Sequence, residues 1–142
     1  MILFFDTSAF VKLLVQETGS DDVLAVAQDA AALAAARLLE IESRSFIGRG
    51  LAARLFDRRT ARRLRDDLAA WLQGFAVVEL DDAVAMSAGD VAERHALRGM
   101  DAIHLASAVR LATVSPMPLV LATYDSELRA AAAKEHLGLF PG

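Results

Sequence analysis

Cysteine is absent from this 142-residue chain, which excludes disulfide bonds and thiolate metal sites. The roughly 18-residue apolar run that a membrane span needs is also missing. The first residues carry neither a basic segment nor a small-residue cleavage site, so they do not resemble a signal peptide. Linkers, repeats and a domain boundary are lacking as well. We therefore expect a cytoplasmic protein with a single domain over residues 1–142.

An excess of positive charge is missing too, since the net charge is −4 at pH 7. The chain as a whole is therefore not a basic nucleic-acid-binding protein. Its basic residues are concentrated, however, because the stretch from Arg44 to Arg65 holds eight arginines and one acid, Asp57. This stretch is either a phosphate-contacting surface or an ordinary solvated helix face. The sequence leaves both interpretations open.

Apolar residues make up 55% of the chain, enough for a sizeable core. Short apolar runs predict buried strands at Ile2–Phe5, Phe75–Leu80 and Leu119–Tyr124, with weaker ones near 31–34 and at "LGLF". Stretches with helical spacing separate them, at about 8–15, 20–29, 36–48, 58–73, 82–95, 101–113 and 126–135. Strands that are apolar on both faces and alternate with helices are typical of a covered parallel sheet. We predict a three-layer α/β/α fold with four or five mainly parallel strands.

Acidic residues stand where such a fold places its ligand sites. Asp6 ends the first predicted strand and Asp125 follows the strand Leu119–Tyr124, and ligands bind at the carboxyl ends of parallel strands. Asp101 begins a predicted helix, with His104 one turn later on the same side. Helix capping explains each aspartate equally well, and a packed, hydrogen-bonded role is the simplest explanation of His104.

Glu42 is the most informative acid, because a helical wheel places it inside an apolar arc. Glu40 falls on the far side of the wheel, within reach of Arg37 and Arg44. The arc is formed by Leu38, Leu39, Ile41 and Phe46. A carboxylate that points inward needs a partner. Arg49 and a metal ion are the two candidates, although we expect Gly48 and Gly50 to end the helix before Arg49 turns inward.

A metal ion is also the simplest reason for four acids to converge. Close carboxylates repel one another and do not all stay ionised unaided. Oxygen ligands without cysteine or a histidine cluster suit Mg²⁺ or Mn²⁺ rather than zinc. Mg²⁺ held by a few carboxylates is typical of chemistry on phosphates. The four acids in question are Asp6, Glu42, Asp101 and Asp125.

Four segments resemble the PIN-domain ribonucleases, and particularly the VapC-like toxins of bacterial toxin–antitoxin pairs. "FFDTSAFVKLL" resembles the opening strand of that family, and "RLLEIESRSF" resembles the helix with the inward glutamate. "LRGMDAIHLASAV" resembles its D-A-x-H-L-A segment, and "LATYDSEL" resembles its closing T-x-D-x-x-L. Each match alone is weak, but all four occur in order and at the family's spacing. The sequence departs from the pattern at Gly48, within the glutamate helix.

The resemblance implies a function for these residues. It makes Asp6, Glu42, Asp101 and Asp125 the catalytic, metal-binding acids, with Ser8 and Thr123 as polar supports. It implies Mg²⁺-dependent cleavage of single-stranded RNA by a metal-activated water, a homodimer, and a small antitoxin protein that covers the groove. The arginines that we expect to bind RNA or the antitoxin are Arg44, Arg58, Arg62 and Arg65.

Two other functions compete with this interpretation. A Mg²⁺-binding phospho-acceptor signalling domain is also an α/β protein with acids at strand ends, but it needs a lysine after a late strand. Here both lysines, Lys12 and Lys134, fall on predicted helices. A catalytically silent PIN-like binding module is the second alternative. The presence of all four acids argues against it.

Overall fold

Five strands and seven helices alternate along the chain in the computed structural model, which describes residues 1–142. The strands are β1 Ile2–Phe5, β2 Ala32–Ala36, β3 Phe75–Val78, β4 Leu119–Ala122 and β5 Gly138–Phe140. The helices are α1 Thr7–Leu14, α2 Ser20–Asp29, α3 Leu38–Ala52, α4 Arg58–Leu72, α5 Asp82–His95, α6 Gly99–Val114 and α7 Ser126–Lys134. None of these helices combines the length and apolar character needed to cross a membrane.

All five strands are parallel and form one sheet in the order β3-β2-β1-β4-β5. The central strand β1 pairs with β2 and β4, and Phe5 stands beside Ala35 on one side and Ala122 on the other. Because the strands run in the same direction, their carboxyl ends meet at one edge of the sheet. The predicted three-layer parallel fold is confirmed.

Side chains of β1 alternate between the two faces of the sheet, and each face has its own core. Ile2 and Phe4 belong to the cluster that packs against α5, α6 and α7. Leu3 and Phe5 belong to the cluster that packs against α1 to α4. These four residues are at most 5% exposed, because helices cover both faces of the central strand. This burial explains why β1 is continuously apolar.

Helix α3 runs through both of the glycines that we expected to end it. Gly48 faces open space, with no atom within 4 Å of the position that a Cβ would take. Gly50 is buried, and a Cβ there would overlap the ring of Phe56. Gly50 therefore lets the chain after α3 fold back closely onto the helix. The expected helix end was wrong because this glycine serves packing rather than termination.

We expect Gly50→Ala to lower the free energy of unfolding by about 1–3 kcal/mol, because the added methyl group forces the Phe56 ring out of its place. The matched control is Gly48→Ala on the same helix, where the methyl group meets nothing and helix propensity favours alanine by up to about 1 kcal/mol. Urea denaturation of both variants measures the difference. Equal stability of the two variants would contradict this account of Gly50.

Candidate active site

The four predicted acids come together in one cleft of about 160 Å³ near the carboxyl edge of the sheet. No apolar side chain lines this cleft. Its lining consists of Asp6, Thr7, Ser8, Glu42, Asp101, His104 and Asp125. The structure therefore brings together residues from the end of β1 and from helices α1, α3, α6 and α7.

Asp6 is the most enclosed member of the cleft, at 4% exposure. It caps α1, and its Oδ1 accepts the backbone N–H of Ala9 at 3.0 Å. The hydroxyl of Ser8 donates to the same carboxylate at 2.7 Å, and the hydroxyl of Thr123 donates to Oδ2 at 2.6 Å. Ser8 and Thr123 thus occupy the supporting positions that the resemblance implied.

Burial raises the pKa of Asp6 above its ordinary value. The hydrogen bonds from Thr123, Ala9 and Ser8 and the nearby His104 act in the opposite direction without cancelling the effect of burial. A carboxylate with this many donors has no freedom to rotate. The geometry of Asp6 is therefore set before any ligand arrives.

Glu42 is half-buried and accepts two hydrogen bonds at the same oxygen. Thr7 Oγ1 donates to Glu42 Oε1 at 2.7 Å, and the Nε2 of His104 lies 2.5 Å from that oxygen. Burial pushes the pKa of Glu42 upward, but the bonds from His104 and Thr7 and the charges of His104 and Arg49 outweigh it, so the pKa is lowered. The cleft thus favours the ionised form of Glu42.

The helical wheel was right about where Glu42 and Glu40 face but wrong about Ile41. Glu40 turns away from the cleft and pairs with Arg37 at 3.3 Å. Ile41 is 62% exposed, so it does not belong to an inward apolar arc. Arg49, one of the two candidate partners of Glu42, acts on that carboxylate only through its charge.

His104 and Thr7 are the residues of this cleft that sequence reasoning missed as site members. His104 is 2% exposed, and it is the packed, hydrogen-bonded residue that the sequence predicted. It also lines the cleft, because it lies one helical turn after Asp101 on α6. Thr7 directly follows the acid that ends β1. That position was the sequence signal available for it, and it was not used.

Asp101 and Asp125 complete the cleft from the first turn of α6 and the N-cap of α7. Asp125 Oδ1 accepts the backbone N–H of Leu128 at 2.8 Å, so the capping interpretation is correct as well. Burial raises the pKa of Asp101, and the charges of Asp125, Asp6 and Glu42 raise it further against the opposing effect of His104. The other three carboxylates are therefore close enough to repel that of Asp101.

The donor set of the cleft fits Mg²⁺ or Mn²⁺ better than zinc. Four carboxylates and two hydroxyls supply only oxygen, and the one imidazole is engaged by Glu42. No three of the acidic and histidine side chains are grouped tightly enough to enclose an ion by themselves. Mg²⁺ needs no such cage, because it keeps several waters and takes only one or two carboxylates.

The sequence of this chain is similar to those of known proteins. The PIN domain family matches residues 3–134. This chain belongs to the PIN-domain family. A curated PIN relative, Ribonuclease VapC45 of Mycobacterium tuberculosis, is 40% identical over 134 residues, which cover 92% of this chain and 89% of the relative. The resemblance to VapC-like proteins is thereby confirmed.

Solved structures share the PIN fold at low sequence identity. FitAcB from Neisseria gonorrhoeae has a TM-score of 0.72 at 21% identity, over 99% of this chain and 96% of that one. A toxin–antitoxin complex from Klebsiella pneumoniae has a TM-score of 0.61 at 16% identity, over 87% of each chain. At these identities the likeness establishes the arrangement of sheet and helices.

We expect Asp101→Asn to raise the melting temperature of the metal-free protein at pH 7 by about 1–3 °C, a modest gain because solvent screens this partly exposed group. A raised pKa means that the folded protein holds this proton more tightly than the unfolded chain. The parent therefore loses stability as the pH rises from 3.8 through the raised pKa of Asp101, and the Asn variant does not.

Melting curves between pH 4 and pH 8 measure this difference. The control is Asp90→Asn, which alters an exposed acid on α5. A gain that is the same at every pH, or that the control reproduces, would show that repulsion within the cleft does not act on Asp101.

Proposed function

We propose that this protein is a divalent-metal-dependent endoribonuclease that cleaves single-stranded RNA and serves as the toxin of a toxin–antitoxin pair. The observation that supports it most is the convergence of Asp6, Glu42, Asp101 and Asp125 in one cleft without apolar lining. The relationship to a curated ribonuclease at 40% identity over most of both chains supports the same activity. The four acids are proposed as the metal-binding and catalytic residues of one domain, residues 1–142.

Three of the acids have assigned tasks in this proposal. Bound Mg²⁺ or Mn²⁺ supplies a water of lowered pKa and neutralises charge at the phosphate. Asp6 and Glu42 are held by donors from the chain and present fixed ligand oxygens. Asp101 accepts no hydrogen bond from the chain, so its carboxylate oxygens are free to accept one from a water molecule in the cleft. Asp101 therefore orients the attacking water and takes its proton at a carboxylate oxygen.

The arginine-rich stretch supplies the attraction for phosphate that the acidic cleft lacks. None of its eight arginines forms an ion pair. Arg44 and Arg65 line a groove of about 240 Å³ between α3 and α4. Arg44 lies on α3, the helix that carries Glu42. Arg58 and Arg62 are exposed on α4. Exposed, unpaired arginines suit an RNA backbone or an acidic segment of an antitoxin.

An antitoxin and a second copy of the chain complete the proposal. The structural likeness to a toxin–antitoxin complex from Klebsiella pneumoniae supports an antitoxin partner. The homodimer follows from the family resemblance alone. A silent binding module is the competing function, and loss of RNA cleavage on mutation of the acids distinguishes an enzyme from such a module.

We expect Glu42→Gln to reduce cleavage of single-stranded RNA in Mg²⁺ by about 100-fold or more, because it removes an ionised ligand and its bond to His104. Glu40→Gln is the matched control, two residues earlier on the same helix but turned toward Arg37, and it retains the parent rate. Single-turnover cleavage of a labelled RNA, with the products mapped, measures both rates.

Asp6→Asn and Asp101→Asn are expected to abolish the same cleavage while the protein stays folded. Excess EDTA is expected to stop the parent, and added Mg²⁺ or Mn²⁺ to restore it. Full activity in EDTA would overturn the metal-dependent mechanism. A well-folded parent that binds RNA but never cuts it would identify the silent binding module instead.

We expect joint charge reversal of Arg58, Arg62 and Arg65 to weaken RNA binding and to flatten its dependence on salt, since each phosphate contact contributes to the slope. Filter binding at several salt concentrations measures both quantities. Arg110→Glu on α6 is the control, because it reverses one charge outside the arginine-rich stretch and shows the effect of net charge alone. If the triple variant keeps the affinity and slope of the parent, these arginines form only a solvated helix face.

A further inference from the structure

Tyr124 stands between two residues of the site and is the only tyrosine of the chain. It follows Thr123, which donates to Asp6, and precedes Asp125 of the cleft. Its backbone N–H donates to the hydroxyl of Ser8 at 2.9 Å. The main chain of Tyr124 is therefore anchored to the same hydroxyl that supports Asp6, while its side chain is 36% exposed.

The ring of Tyr124 is held by two other parts of the chain. The Nζ of Lys12 lies 4.4 Å from the ring centroid, a cation–π contact. Lys12 is itself fixed, because Nζ donates to Glu17 Oε1 at 3.0 Å and to the carbonyl of Thr18 at 2.8 Å. The phenol hydroxyl abuts Gly19, where a Cβ would come within 2.8 Å of it and φ is +90°. The exposed part of the ring is therefore presented in one orientation.

The position of the ring relative to the cleft follows from helix α1. Ser8 lines the cleft and Lys12 lies four residues later, so both share one side of α1 about 6 Å apart along its axis. The ring of Tyr124 therefore contacts α1 one helical turn beyond Ser8, which lines the cleft. A nucleotide next to the one being cut lies within such a distance.

We propose that the exposed ring of Tyr124 stacks against a nucleobase of the RNA next to the phosphodiester that is cut. This inference rests on the proposed ribonuclease function. Stacking requires unpaired bases that can be splayed out, which single-stranded RNA provides. It also accepts any base, because every base has a π-face. It also needs no cation, which matters here because the charge of Lys12 is already shared with Glu17 and the ring. Tyr124 thus binds the substrate and positions the neighbouring phosphate over the acids.

The test compares two single strands on the inactive Asp101→Asn background. One probe is a labelled ten-nucleotide oligoadenylate, and the other is the same ribose-phosphate backbone without bases. Tyr124→Leu is expected to weaken binding of the oligoadenylate at least about fivefold and to leave binding of the abasic strand unchanged. Tyr124→Phe keeps the ring and is expected to rescue the affinity to within about twofold of the parent.

Met117→Ala is the matched control, because Met117 is exposed to a similar degree, 39%, and precedes β4 at the opposite edge of the sheet. It is expected to bind both strands like the parent. A second measurement replaces Trp71, the only tryptophan, with Phe and Tyr124 with Trp. The fluorescence of the new Trp is expected to be quenched by the oligoadenylate and not by the abasic strand.

Each outcome decides between defined interpretations. Equal binding of the oligoadenylate by the parent and by Tyr124→Leu, or an equal loss for both strands, overturns stacking. An unquenched Trp at position 124 in the RNA complex overturns it as well. In these cases cleavage of RNA by the parent keeps the ribonuclease function intact. A parent that neither binds nor cleaves RNA overturns both proposals.

Discussion

The buried carboxylate of Asp6 is the constraint on which the rest of the structure depends. It follows the central strand and caps the N-terminus of α1. It also accepts hydrogen bonds from the hydroxyl groups of Ser8 on α1 and of Thr123 after β4. A buried charge without donors costs several kcal/mol, so these partners are obligatory. The exit of β4 is thereby tied to the exit of β1. The same bonds place Thr123 where its main chain leads directly to Asp125.

The site keeps four carboxylates together by giving them different surroundings. Glu42 has two donors that favour its charged form, whereas Asp101 has burial and three like charges that oppose it. The pKa of Glu42 is therefore lowered and that of Asp101 is raised within the same cleft. Groups whose environments separate their pKa values are typical of acid–base chemistry. Here the two pKa values move apart because His104 and Thr7 donate to Glu42, whereas neighbouring carboxylates repel that of Asp101.

Local pattern predicted most of the fold and much of the site. The apolar strands, the alternation with helices and the inward turn of Glu42 all follow from residue spacing, which depends on near neighbours in the chain. The contacts of His104 and Thr7 with Glu42 join residues 62 and 35 positions apart, and no local period reveals them. The run of α3 through Gly50 was missed for the same reason, since it depends on where the ring of Phe56 returns.

The parallel topology determines when the site can form during synthesis, because it joins the end of β1 to residues after β4. Asp6 leaves the ribosome long before Thr123, because the bond between them spans 117 positions. β4, the second neighbour of the central strand, follows equally late. Chains are made from the N-terminus at several residues per second, so a nascent chain holds an unfinished cleft until residues 119–125 have emerged. A function that requires all four acids is therefore absent from the nascent chain before that point.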